Sequence, residues 1–76
     1  MSKPVNYEAA FLNALRTQEV LVSIYLISGV RLVGEVTSFD SESIFMRGIQ
    51  SSNQITMIYK KSVSTIRPEG QFKFGD

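Results

Sequence analysis

The chain contains no cysteine and no histidine. Without cysteine there is no disulfide, no thiolate nucleophile and no Cys-based metal site. Without histidine the commonest general base and metal ligand at neutral pH is missing as well. A large excess of charge is absent too: eight Lys and Arg face seven Asp and Glu, a net charge of +1. No bulk basic character advertises nucleic acid, so any such binding must come from local placement of the cations. The N-terminal MSKPVNYEAA lacks an apolar signal core, and nowhere is there an apolar run of membrane length. A soluble cytoplasmic protein without a membrane partner is the expectation.

Catalysis finds little support. Glu8, Glu19, Glu35, Asp40, Glu42, Glu69 and Asp76 are scattered and form no acid–base pair. No Ser-His or Cys-His arrangement can be assembled, and the glycine-rich phosphate loop of nucleotide-binding proteins is missing. The sequence therefore predicts no catalytic residue, metal, cofactor or small-molecule substrate.

What is present is strong alternation. From Val22 to Asp40, VSIYLISGVRLVGEVTSFD, apolar residues recur in steps of two: Val22, Ile24, Leu26, then Val30, Leu32, Gly34, Val36. Period two predicts two half-buried strands joined at Ser28-Gly29, where Gly29 can take a positive φ. Gly34 inside the second strand predicts a bend, a bulge or a close backbone approach.

Around this hairpin the chain runs in short elements. Met1 to Val5 reads as a loose lead-in. Asn6 is a candidate N-cap for a helix from Tyr7 to Gln18, with Phe11, Leu12 and Leu15 as its buried stripe and Asn13, Arg16 and Thr17 facing outward. Asp40-Ser41-Glu42-Ser43 is turn chemistry. Three more strands follow: Ser43 to Gly48, Gln54 to Tyr59, and Val63 to Arg67, the last ended by Pro68. Ile49 to Asn53 is a polar connection, Lys60-Lys61-Ser62 a short turn, and QFKFGD a tail too short to fold alone. The expected fold is mostly β: one helix, then five antiparallel strands in a small, strongly bent open barrel. It forms one domain over residues 1–76, with its core at about 6–68. So small a chain without disulfides also favours self-association.

Two aromatic and cationic pairings suit single-stranded nucleic acid, which needs platforms for bases and cations for phosphates. They are Tyr25 with Arg31, and Tyr59 with Lys60 and Lys61.

The motifs FLNALR (Phe11 to Arg16), VSIYL (Val22 to Leu26), the Gly29 turn and the SFD ending at Asp40 resemble Hfq, the bacterial Sm-like RNA chaperone family. YKKSVSTI, Tyr59 to Ile66, resembles that family's Tyr-Lys-His-Ala-Ile-Ser-Thr stretch. The resemblance spans roughly Asn6 to Pro68 and contains both Sm-type motifs in order. It implies a homohexameric ring closed by pairing the fourth strand of one subunit with the fifth of the next, placing Met57, Ile58 and Tyr59 at the boundary.

The resemblance further implies three RNA surfaces. On the distal face, for A-rich RNA, Tyr25, Gly29, Val30, Leu32 and Thr65 match or nearly match, with Arg31 where Lys is usual. Val33 and Thr56 stand where base-reading Gln residues are expected, and Gln54 lies two positions away. On the proximal face, for U-rich RNA, Asp40, Tyr59 and Lys60 match. Lys61 replaces His, Glu42 replaces a stacking residue and Glu8 replaces Gln. Ion pairing of Glu8 and Glu42 with Lys60 and Lys61 would compete with RNA there. On the rim Asn13 and Arg16 remain, whereas Thr17 and Glu19 replace basic positions. The implied function is binding of small regulatory RNA and messenger RNA. The alternative is a ring-shaped scaffold that kept the assembly and lost much of its RNA affinity. The family's longer tails find no counterpart here, so tail-mediated autoregulation is not expected.

Overall fold

A computed structural model describes residues 6–49 and 54–75. The expected lead-in and most of the polar Ser/Asn connection lie outside these residues.

Helix α1 spans Tyr7–Gln18 and begins as its sequence dictates. Asn6 adopts an extended conformation and its Oδ1 accepts the Ala9 backbone N–H at 3.0 Å. A cap of this kind contributes about 1 kcal/mol. The helix ends in a left-handed residue, Glu19 (φ 52°), whose N–H returns to the Arg16 carbonyl. A C-terminal cap of this geometry is usually glycine, so no glycine signals this end.

Five strands follow: β1 Leu21–Leu26, β2 Arg31–Phe39, β3 Ser43–Gly48, β4 Ile55–Tyr59 and β5 Val63–Pro68. They form one antiparallel sheet in the order β4-β3-β2-β1-β5, bent and not closed on itself. Both β4 and β5 therefore present a free edge. Lys60–Ser62 is a single 3-10 turn between them.

The bend has a local cause. A Cβ at Gly34 would sit 2.1 Å from the Arg47 carbonyl oxygen, so only glycine lets β3 cross β2 so closely. A register shift follows between Val36 and Ser38. The close approach falls at the expected glycine, and the bulge comes a few residues later.

The hairpin connection is longer than a Ser28-Gly29 turn. Leu26 donates to Val30 and Gly29 to Leu26, leaving residues 27–30 outside both strands. Gly29 has φ +99°. Val30 thus stands at the tip, 50% exposed, and does not continue the inward apolar row.

Leu12 and Leu15 close the core against Val20, Val22, Ile24, Val36, Ile44, Met46 and Ile58. Each buried leucine contributes about 1.5–3 kcal/mol by removal from water. Phe11 is half-buried at the edge of this core. Phe72 and Phe74 from the tail meet its ring edge-on, at 5.3 and 5.0 Å between centroids. Gln18 secures the same segment, donating to the Lys73 carbonyl at 2.8 Å and accepting from its N–H at 3.1 Å. The packed unit thus extends past Pro68 to the tail phenylalanines.

Candidate nucleic-acid interface

Two surfaces carry an aromatic ring beside cations, and the fold builds them differently.

The first is the outward face of β1 with its neighbours. Tyr25 lies opposite Arg31 on β2 and opposite Thr65 on β5, while Ser23 lies opposite Val33 and Arg67. Alternation places all six side chains on one face. The expected Tyr25–Arg31 partnership holds in register, but the Arg31 guanidinium is directed to Ser23 and Glu69. Arg31 Nε donates to Ser23 Oγ at 3.0 Å, and its guanidinium lies 3.6 Å from Glu69, which also accepts from the Ser23 hydroxyl. The cation over the Tyr25 ring is Arg67, its guanidinium carbon 5.7 Å from the centroid. Ser23 falls on this face by alternation with Tyr25, whereas Arg67 and Glu69 were not legible as members of it. Arg67 and Glu69 flank Pro68, outside the alternating hairpin. Leu32 turns toward the core side, and Gly29 and Val30 form the tip. Gln54 is exposed immediately before β4, at the far edge of the sheet.

The second surface is a cleft of about 290 Å³ lined by Ser41, Glu42, Tyr59, Lys60 and Lys61. Asp40 builds its rim. Its Oδ1 accepts from the backbone N–H of Glu42 at 2.9 Å and from the N–H and hydroxyl of Ser43, each at 2.8 Å. These donors, the Glu42 N–H foremost, hold the Asp40 carboxyl below the usual carboxylate range, and the nearby Lys60 charge acts in the same direction. The Glu42 carbonyl in turn accepts the Lys60 N–H at 2.8 Å, tying the rim to the 3-10 turn.

One cation of this cleft is ion-paired and the other lies over its tyrosine. Lys60 Nζ is 2.7 Å from Glu8 Oε1 and 5.7 Å from the Phe39 ring centroid. Its side chain is 14% exposed, against 61% for Glu8. Lys61 Nζ lies over Tyr59 at 6.0 Å. Of the ion pairs expected here, Glu8–Lys60 forms. Among the described residues, Glu42 pairs with neither lysine.

At the rim, Arg16 donates to Asn13 Oδ1 at 2.7 Å, which orients its guanidinium along the helix surface. On β4, Met57 and Tyr59 are exposed while Ile58 is buried in the core, so of the three expected boundary residues the Ile58 side chain is not on the surface. A larger groove of about 480 Å³ runs between α1 and the β5 edge, with Tyr7, Phe11, Val63, Ile66 and Phe74 among its walls. Among the described residues no cluster of acidic side chains is suited to a metal ion, and no helix is long and apolar enough to cross a membrane.

Comparison with known proteins agrees with this architecture. The structure is similar to a crystal structure of the pleiotropic translational regulator Hfq, with a TM-score of 0.77 and 19% identity, covering 91% of this chain and all of that one. It is also similar to the crystal structure of an Hfq protein from Anabaena sp., with a TM-score of 0.71 and 22% identity over 82% of this chain and 95% of that one. These likenesses establish the fold. The family model for Hfq protein matches residues 8–73. The chain belongs to the Hfq family, and with it to the Sm-like RNA-binding chaperones.

Proposed function

We propose that this protein is a ring-forming binder of single-stranded RNA that works chiefly through the Tyr25 face. It takes A-rich tracts there, holds U-rich RNA only weakly at the Lys60 cleft, and brings small regulatory RNA and messenger RNA together by raising their local concentration. The mechanism is binding alone, without catalysis. The ring reading is supported by the two free edges, β4 and β5, which head-to-tail pairing of copies leaves unexposed once the ring closes. A β4 strand added to β5 would border the apolar groove beside α1.

The observation that carries the reading is the placement of Tyr25. It stands on the strand between β2 and β5, with a guanidinium already over its ring. A base can stack there while phosphates pass nearby cations. At the cleft, by contrast, Lys60 is paired with Glu8 and Glu42 is part of the lining.

The test is a paired anisotropy titration with labelled A-rich and U-rich oligomers at two salt concentrations. The expected result is tighter A-rich binding, weakened about tenfold or more in Tyr25→Ala, since stacking is worth about 1–3 kcal/mol per base. Failure of either oligomer to bind a protein shown by light scattering to be a ring would favour a scaffold. The engaged lysine of the cleft is the observation that speaks for that second reading.

A further inference from the structure

The residue over Tyr25 is not one that the family motifs point to, and its chemistry is distinctive. Arg67 sits on β5 opposite Ser23, one diagonal step from Tyr25 on the same face. Among the described residues no carboxylate pairs with it. Arg31, the other guanidinium on this face, is fixed by Ser23 and Glu69. Thr65 exchanges its hydroxyl with Ser64 at 3.4 Å, and Val33 offers no hydrogen bond at all. Among the described residues, the long hydrogen-bonding side chain left without an ion-pair partner beside the Tyr25 ring is therefore a donor-only fork with five N–H groups.

We propose that Tyr25 and Arg67 form a nucleobase slot that selects guanine, a refinement that rests on RNA binding at the Tyr25 face. A base entering the slot stacks on Tyr25 and displaces the guanidinium from the ring to the base edge. The Hoogsteen edge of guanine presents two acceptors, O6 and N7, which match the two parallel donors of arginine. Adenine presents N7 beside an amino donor, which faces the guanidinium with another hydrogen. In unpaired RNA that edge is open to such contact. A-rich tracts carrying isolated guanines are then better ligands than uninterrupted A-tracts.

The experiment compares labelled A-tracts with the same tracts carrying isolated guanine, 7-deazaguanine or inosine. It uses the full chain, Arg67→Gln and Tyr25→Ala, each checked for ring formation and unfolding midpoint. Guanine should tighten binding by about fivefold per occupied slot. Inosine, which keeps O6 and N7, should retain the gain, and 7-deazaguanine should lose most of it. Arg67→Gln should reverse the preference, because an amide pairs with adenine N6 and N7. If A-tracts bind through Tyr25 but guanine brings no gain and Arg67→Gln changes nothing, the guanine slot is overturned. If Tyr25→Ala leaves every tract bound as before, the Tyr25 face itself is not the RNA surface, and both readings fall together.

Discussion

The Tyr25 face and the Lys60 cleft look alike in composition and differ in how their charges are spent. Each sets a tyrosine beside two cations and one or two carboxylates. On the face, Glu69 and Ser23 secure Arg31, and Arg67 stays available over the ring. In the cleft, Glu8 takes Lys60, Lys61 stays over the Tyr59 ring, and Glu42 adds a second carboxylate that pairs with no lysine among the described residues. A cation held by a neighbouring carboxylate must break that pair before it can release counterions from RNA. Counting lysines and arginines therefore overstates what a surface can offer. Among the described residues each surface keeps one cation outside ion pairs, over its tyrosine, so what separates them is the extra carboxylate that Glu42 brings to the cleft.

The comparison can be reversed most strongly at Glu42. Its backbone is fixed at both ends, by Asp40 and by Lys60, so a substituted side chain would still line the cleft. Glu42→Phe removes a carboxylate and supplies a stacking surface. U-rich binding should tighten about tenfold, within the range of about 1–3 kcal/mol for a stacked base. A-rich binding should not move. Titration of both oligomers against the variant reads the two surfaces separately, and an unchanged U-rich affinity would mean that no base stacks at this cleft.

A smaller effect is expected at Glu8. The Glu8–Lys60 pair is short, but Glu8 is 61% exposed, and exposed pairs contribute about 0–1 kcal/mol. Glu8→Gln should leave stability almost unchanged while freeing one cation per chain. U-rich affinity should rise by at most about fivefold, with a steeper salt dependence. Higher affinity without the steeper slope would assign the gain to the new amide.

Much of this architecture was legible in the chain. Asn6 capping α1, the alternation through β1 and β2, the glycine at the close crossing and the Asp40 turn are all local features, written within a few residues of where they act. The missed features are not local. Glu69 reaches Ser23 across 46 residues, and only the β1–β5 pairing brings them together. Ser23 belongs to the outward set by alternation yet is fully buried, because Arg31 and Glu69 lie across it. The tail is too short for its two phenylalanines to fix a structure alone, and they are held by packing on Phe11 while Gln18 bonds Lys73. Arg67, at the end of β5, acquires its meaning from Tyr25 on the neighbouring strand. The face was therefore visible as a tyrosine, while the identity of its cation depended on topology.

The subtlest difference between the two surfaces is their response to acid, and Asp40 sets it. The Tyr25 face is held by strand pairing, whereas the cleft rim hangs on one carboxylate oxygen receiving three hydrogen bonds. Those bonds lower the folded-state pKa of Asp40 relative to the unfolded chain. Stabilisation from such a group is fully present above the unfolded pKa and is lost as pH falls through the folded one. Asp40→Ala should therefore lower the unfolding midpoint near neutral pH. The gap between variant and wild type should close on acidification, since protonation removes from the wild type what the substitution has already removed. Chemical denaturation of both proteins from about pH 7 down to about pH 2 reads this directly. A gap that persists at the acid end would assign the loss to packing of the turn, with the carboxylate charge uninvolved. At neutral pH the variant should also loosen Glu42 and blur the cleft's preference for or against U-rich RNA. A-rich binding should stay the same, because no hydrogen bond from Asp40 reaches β1 or β5.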